Sequence, residues 1–241
     1  MRTALSMQGH EAALLRLAAL TPLAPATLST LSAAIAQAEP LRARRELLTE
    51  GRAIETPLLL VRGWAARVRQ LPDGRRQFLN FLVPGDVIGL SDVPRALSPA
   101  TIIAVTDVMV ATPPDASELP DVAAAYAIAR ALDEAHLLAQ IVRLGRLNAQ
   151  ERIADLLLEL HERLTLNGLA RGNAFDVPLT QEVLADALGL TSVHVNRMVQ
   201  QARRDGDLQW KGGRVTLTDP VALAQKIGRQ SPRVQETAGS I

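Results

Sequence analysis

The chain has 241 residues, 48% of them apolar and 21% charged, which suits a globular protein of one or two domains with a sizeable core. It has no cysteine, so disulfides, thiol redox switches, thiolate zinc sites and cysteine-ligated iron–sulfur clusters are all excluded. A net charge of +1 does not mark the whole chain as a nucleic-acid binder, and any such role must come from local charge.

Residues 1–40 are rich in Ala and Leu with helical periodicity, interrupted at Pro22 and Pro25, and predict one or two short helices. The first apolar run is broken by Gln8, Gly9, His10 and Glu11 before it reaches signal-peptide length, and no stretch approaches a membrane span. A soluble, cytoplasmic protein without membrane contact is therefore expected. From about Leu41 to Thr112 short apolar or alternating runs follow one another, among them LLLVRG, WAARVRQL, QFLNFLVPGDVIGL and TIIAVTDVMVAT. These are strands separated by turns.

After Pro113 and Pro114 a helical pattern runs from about Leu119 to Leu147, with Ile128, Ala131, Ala135, Leu138 and Val142 at heptad-like spacing. At 1.5 Å per residue such a helix is roughly 40 Å long, more than a connector needs, and it suits pairing with a second copy. A further helix is expected from about Ala149 to Leu164, then a short strand at Phe175 to Leu179.

Thr180 to Arg204 reads as two short helices joined by a glycine turn. Thr180 and Thr191 can cap them, because a hydroxyl at the N-cap accepts an orphan backbone N–H. Ala185 is small where the helices must cross, and Gly189 can adopt the left-handed conformation that ends the first helix. In the second helix Val195, Met198, Val199 and Ala202 form the buried stripe, which leaves Val193, Asn196, Arg197, Gln200 and Arg204 on the opposite face. From Thr191 to Arg214 the charges are Arg197, Arg203, Arg204, Lys211 and Arg214 against Asp205 and Asp207, whereas Leu179 to Leu190 carries only Glu182 and Asp186. The positive field thus lies on the second helix and on the segment from there to Arg214. Gly212-Gly213 suits a two-residue hairpin turn, and Lys211 and Arg214 beside it form a wing for phosphates. From about Arg229 the tail is polar and aperiodic, and is expected to be loosely ordered.

Gly51, Gly63, Gly74, Gly85 and Gly89 stand at intervals of 12, 11, 11 and 4. With PGDVIG (Pro84 to Gly89), RLNAQERIADLLLEL (Arg146 to Leu160) and the helix pair, the chain resembles the Crp/Fnr family of bacterial transcription regulators over most of its length. The resemblance implies an α+β fold: a helical segment (1–40), a double-stranded β-roll of the cupin-like jelly-roll kind as sensor (41–118), a dimerisation helix (119–147), a winged helix-turn-helix (148–220) and a helix end with a flexible tail (221–241). Its implied partners are double-stranded DNA, a second copy of the chain and RNA polymerase, with a recognition helix in each of two major grooves. The DNA-facing set is Thr180, Gln181, Thr191, Ser192, Val193, His194, Asn196, Arg197, Gln200, Arg203, Arg204, Lys211 and Arg214. Within it Ser192, Val193 and Arg197 correspond to the family's base readers. Arg197 suits guanine O6 and N7, whereas Val193 replaces a glutamate common in relatives and offers only apolar contact, for instance to a thymine methyl.

The same resemblance implies an effector pocket near Gly85, Gly89, Leu90, Arg95, Leu137 and Leu138. Relatives that bind cyclic AMP use a glutamate after the last glycine, an Arg-Ser pair about ten residues later, and Ser or Thr on the long helix. Here Leu90 follows Gly89, Arg95 is the only cation between Arg76 and Arg130, and no Ser or Thr lies between Val122 and Leu147. Cyclic nucleotides should therefore bind weakly or not at all. His10, His136 and His161 are potential haem ligands in type, but helix histidines more commonly serve as surface or interface residues, so neither haem nor any metal is expected. No H-E-x-x-H motif, phosphate-cradling loop or convergent catalytic group argues for an enzyme. The alternative function is a ligand- or haem-sensing module of the same fold. Effector, operator and the choice between activation and repression are not legible.

Overall fold

The computed structural model describes residues 2–235, with side chains from Gly9 onward. Two helices come first, α1 (Arg2–Ala18) and α2 (Pro25–Ala36). Pro25 sits at the start of α2, where its missing N–H is not needed. Ala13, Leu17, Leu31 and Ile35 from these helices pack with Leu59 and Val61 of the roll.

The roll has eight strands: β1 (Glu39–Leu41), β2 (Glu46–Leu48), β3 (Leu58–Arg62), β4 (Ala65–Gln70), β5 (Arg76–Leu82), β6 (Val87–Ile88), β7 (Thr101–Ala104) and β8 (Val108–Ala111). They form two antiparallel four-stranded sheets, ordered β1-β8-β3-β6 and β2-β7-β4-β5. Leu60, Ile88, Val108 and Val110 of the first sheet meet Ala65, Leu82, Ile102 and Ala104 of the second in a common core. The five roll glycines all have positive φ, from 73° to 94°. Gly85 has a second reason for its lack of a side chain: a Cβ there would lie 2.3 Å from Cβ of Arg16 on α1.

Helix α3 (Pro120–Arg146) leads from the roll to α4 (Ala149–Leu166). The corner between them carries a reciprocal cap, in which Asn148 Oδ1 accepts from the Gln150 and Glu151 amides and Glu151 accepts from the Asn148 amide. Buried charge holds the two helices together. Arg143 of α3 donates to Asp155 and Glu159 of α4. Glu159 also accepts from Arg163, which reaches the Phe81 carbonyl of β5 at 2.8 Å and pairs with Asp86 in the turn before β6.

The C-terminal unit comprises β9 (Ala174–Asp176), α5 (Gln181–Leu188), α6 (Ser192–Arg204), β10 (Leu208–Lys211), β11 (Arg214–Leu217) and α7 (Pro220–Lys226), its strands ordered β10-β11-β9. Strand β9 is shorter than expected and ends before Val177, whose amide still reaches the Gly213 carbonyl. Pro178 then offers no N–H to extend the ladder. The chain beyond α7 departs from the expected loose tail at its first residue. The Arg229 side chain is 2% exposed and pairs with Asp155 and Glu162, each at 2.7 Å. The expected flexibility of 236–241 concerns positions outside the described residues.

Candidate nucleic-acid interface

The local geometry of α5 and α6 follows from their caps. Thr180 and Thr191 Oγ1 accept from the Val183 and His194 amides at 3.2 Å, and Gly189 closes α5 in the left-handed region at φ 63°. Each hydroxyl still has its O–H to donate outward, since accepting a backbone N–H uses only a lone pair. Leu184, Ala185, Ala187 and Leu188 of α5 are buried, as are Val195 and Ala202 of α6. Met198 and Val199 are half-buried against the same core.

The opposite face of α6 is open. Val193 is 80% exposed, and Asn196, Arg197, Gln200, Arg203 and Arg204 are exposed with it, while Ser192 and His194 are half-buried at the margin. Arg203 and Arg204 donate to Gln200 and Gln201 on their own helix. Arg197 has no hydrogen-bond or ionic partner among the described residues, so its planar donor fork is uncommitted. Gln181 lies close by, its side-chain carbonyl 3.5 Å from the Asn196 amide group. Beside α6 the β10–β11 turn has Gly212 and Gly213 at φ 59° and 81°, the paired positive values of a tight hairpin. Lys211 and Arg214 face each other across it, and Arg214 also pairs with Asp176 at 3.1 Å. The thirteen expected DNA-facing residues therefore fall on α6, the α5 start and the wing.

The second site, in the roll, differs more from expectation. A cavity of about 470 Å³ lies between the roll and α3, and Gly89, Leu90 and Leu137 line it. Gly85, Arg95 and Leu138 do not. Gly85 faces α1, Arg95 is exposed on its loop, and Leu138 is 57% exposed on the far side of α3. Consecutive helix residues point 100° apart, so Leu137 and Leu138 could not both face the cavity. The cations that do line it are Arg67 of β4 and Arg130 of α3. Arg67 forms a two-pronged pair with Asp133, and Arg130 pairs with Asp92. An arginine in an alternating strand and another on a long helix carried no signal that they would converge.

Residues 38–116 match the family model of the cyclic nucleotide-binding domain, and 151–226 match that of the Crp-like helix-turn-helix domain. The transcriptional activator protein FnrL of Cereibacter sphaeroides is 30% identical over 208 residues, covering 79% of this chain and 80% of FnrL. The chain belongs to the Crp/Fnr family. It is a DNA-binding transcription regulator of that family. The nitrogen fixation regulation protein FixK of Bradyrhizobium diazoefficiens is 33% identical to this regulator over 158 residues, or 64% of this chain and 66% of FixK. The solved structure of FixK2 from Bradyrhizobium japonicum superposes with a TM-score of 0.67 at 28% identity, covering 78% of this chain and 96% of that one. No helix among the described residues is long and apolar enough to cross a membrane.

Proposed function

We propose that this Crp/Fnr regulator works as a cytoplasmic homodimer that reads a near-palindromic operator, with one α6 in each of two successive major grooves, and that it does so without cyclic AMP. The observation that carries the DNA reading is the open face of α6, where uncommitted Arg197 stands next to a Val193 with nothing to donate or accept. Pairing of two chains is supported by α3, which leaves Leu138, Ile141 and Val142 between 55% and 67% exposed on one side. A large apolar stripe of that kind calls for a partner.

The case against a cyclic nucleotide rests on the roll cavity. Its two arginines are already neutralised by Asp133 and Asp92, and Glu134 adds a further negative group to its wall. A cyclic phosphate would have to break an existing pair to gain a charge-assisted contact. The residues present do not fit that ligand. No haem role is proposed either: His10 is bonded to Ser32 and His161 to the Gly172 carbonyl, while His136 is buried beside the Arg163 and Glu159 charges. The likeness to FnrL, a transcriptional activator, supports RNA polymerase as the further partner. No enzymatic role is proposed.

Selection of bound sequences from a random duplex pool, without added small molecules, tests this. The expected product is a two-fold motif with guanine at a fixed position of each half-site. Enrichment only in the presence of cyclic AMP, or a motif lacking two-fold symmetry, would overturn the proposal.

A further inference from the structure

Helix α5 is held at its carbonyl end by the rest of the chain. Arg76, at the start of β5, donates to Asp186 at 2.6 Å and to Glu182 at 3.1 Å, and its guanidinium lies 5.2 Å from the Phe78 ring centroid. The Ala187 carbonyl accepts from Gln77 of β5 at 3.0 Å and from buried Gln140 of α3 at 2.7 Å. The Leu188 carbonyl accepts from Arg152 of α4 at 2.9 Å, and the same guanidinium spans to the Leu144 and Leu147 carbonyls. Last-turn carbonyls have no partner within their own helix. The Ala185 carbonyl is met by the amides of the following turn, but those of Ala187 and Leu188 are satisfied by side chains from β5, α3 and α4, so the end of one helix joins the winged unit to the sensor half. None of these side chains belongs to the DNA-facing set, and the open face of α6 is untouched by them.

We propose that these contacts form a latch that sets the orientation of the winged unit before any effector is present, and that Arg76 is its positioning residue for operator binding. The inference rests on α6 being the DNA-reading helix. A winged unit free to swivel on its tether must lose orientational freedom when two copies engage two half-sites at once, and a latched one has already lost it. Arg76 has a second, separable effect. Glu182 places a negative charge in the first turn of α5, where phosphates would lie, Asp186 adds another one turn further along, and the guanidinium offsets both.

Asp186→Asn separates the two effects, because it weakens the latch while removing a negative charge. Charge alone predicts tighter DNA binding for this variant, and positioning predicts weaker binding. Full-length wild type, Arg76→Ala, Arg76→Lys and Asp186→Asn would be titrated by fluorescence anisotropy against the operator selected with wild type. The chain has no cysteine, so Gln70→Cys with Gln209→Cys accepts a spin-label pair, diluted into unlabelled chain, that reports the distance from the roll to the wing. Thermal melts confirm that each variant is folded.

Arg76→Ala and Asp186→Asn should each weaken operator binding about tenfold, within the span usual for coupling between sites. The base preference should stay unchanged, Arg76→Lys should recover most of the loss, and the label distance should broaden in the two weak variants. Tighter binding by Asp186→Asn would reduce Arg76 to a charge effect, and tighter binding by Arg76→Ala would make the contact a restraint that holds the unit off DNA. Unchanged affinity, or an unchanged distance distribution in weakened variants, would equally overturn the latch. Failure of wild type to select any sequence would instead sink the DNA reading itself.

Discussion

Arg143 of α3 and Glu159 of α4 form an ion pair at 2.6 Å whose side chains are 2% and 3% exposed. Removing one partner leaves an uncompensated charge in the interior, which costs about 3–5 kcal/mol. Glu159→Ala should lose that much in urea denaturation, and the Arg143→Met, Glu159→Leu double variant should lose less than the two single variants summed. Full additivity would mean that the pair is not coupled.

His136 supplies a pH dependence in the same region. Burial, then the nearby Arg163 cation, pushes its pKa from 6.5 down to about 4, against the opposing pull of Glu159 and Asp86. The unfolded chain therefore binds a proton in a range where the folded one does not. Stability should be fully present above pH 6.5 and fall by about 1.4 kcal/mol per unit as pH drops toward 4. Denaturation midpoints of His136→Gln should lack this slope. Glu159 acts at lower pH. Its burial would raise the pKa, but Arg143, His136 and Arg163 outweigh that and hold it at about 2, so its contribution is present above pH 4.5 and lost as pH falls through 2.

Arg197→Ala should weaken operator binding by about 1–3 kcal/mol and relax selection at a single base pair per half-site. Repeating the duplex selection with the variant checks this. Equal losses on every sequence would remove Arg197 from the base readers.

The two wing cations should behave unequally. Arg214 is shared with Asp176, whereas Lys211 has no carboxylate within 4.0 Å among the described residues. Lys211→Ala should lower the salt slope of DNA binding by about one contact, and Arg214→Ala by less. Titrations at several salt concentrations on nonspecific duplex distinguish them, and a larger change for Arg214 would contradict the pairing.

Leu138→Glu combined with Ile141→Glu places two charges on the exposed stripe of α3 and should yield monomers in sedimentation velocity. Loss of the second half-site should cost roughly a hundredfold or more in operator affinity. Monomers that bind the operator as tightly as wild type would refute the dimer.

The caps at Thr180 and Thr191, the left-handed Gly189, the Gly212-Gly213 turn and the outward face of α6 were all legible in the sequence. Each depends on residues within one helical turn or one hairpin, so local propensity and period decide it. Hence the DNA-reading unit could be placed and its exposed residues named. The roll cavity was only half legible. Leu137 and Leu138 are adjacent in sequence, and which one faces the roll depends on how α3 rotates against it. Arg67 and Arg130 are 63 positions apart and meet only once the sheet and α3 are docked. The same holds for Arg229, which has the composition of a loose tail until Asp155 and Glu162 supply its counter-charges, and for Arg76, whose partners lie more than 100 positions onward. Sequence by itself determined the helix-turn-helix, the strands and the family. Tertiary structure alone decided which charges are spent on one another and how the winged unit is held, because ion pairs and helix-end caps between distant segments leave no periodic trace in the chain.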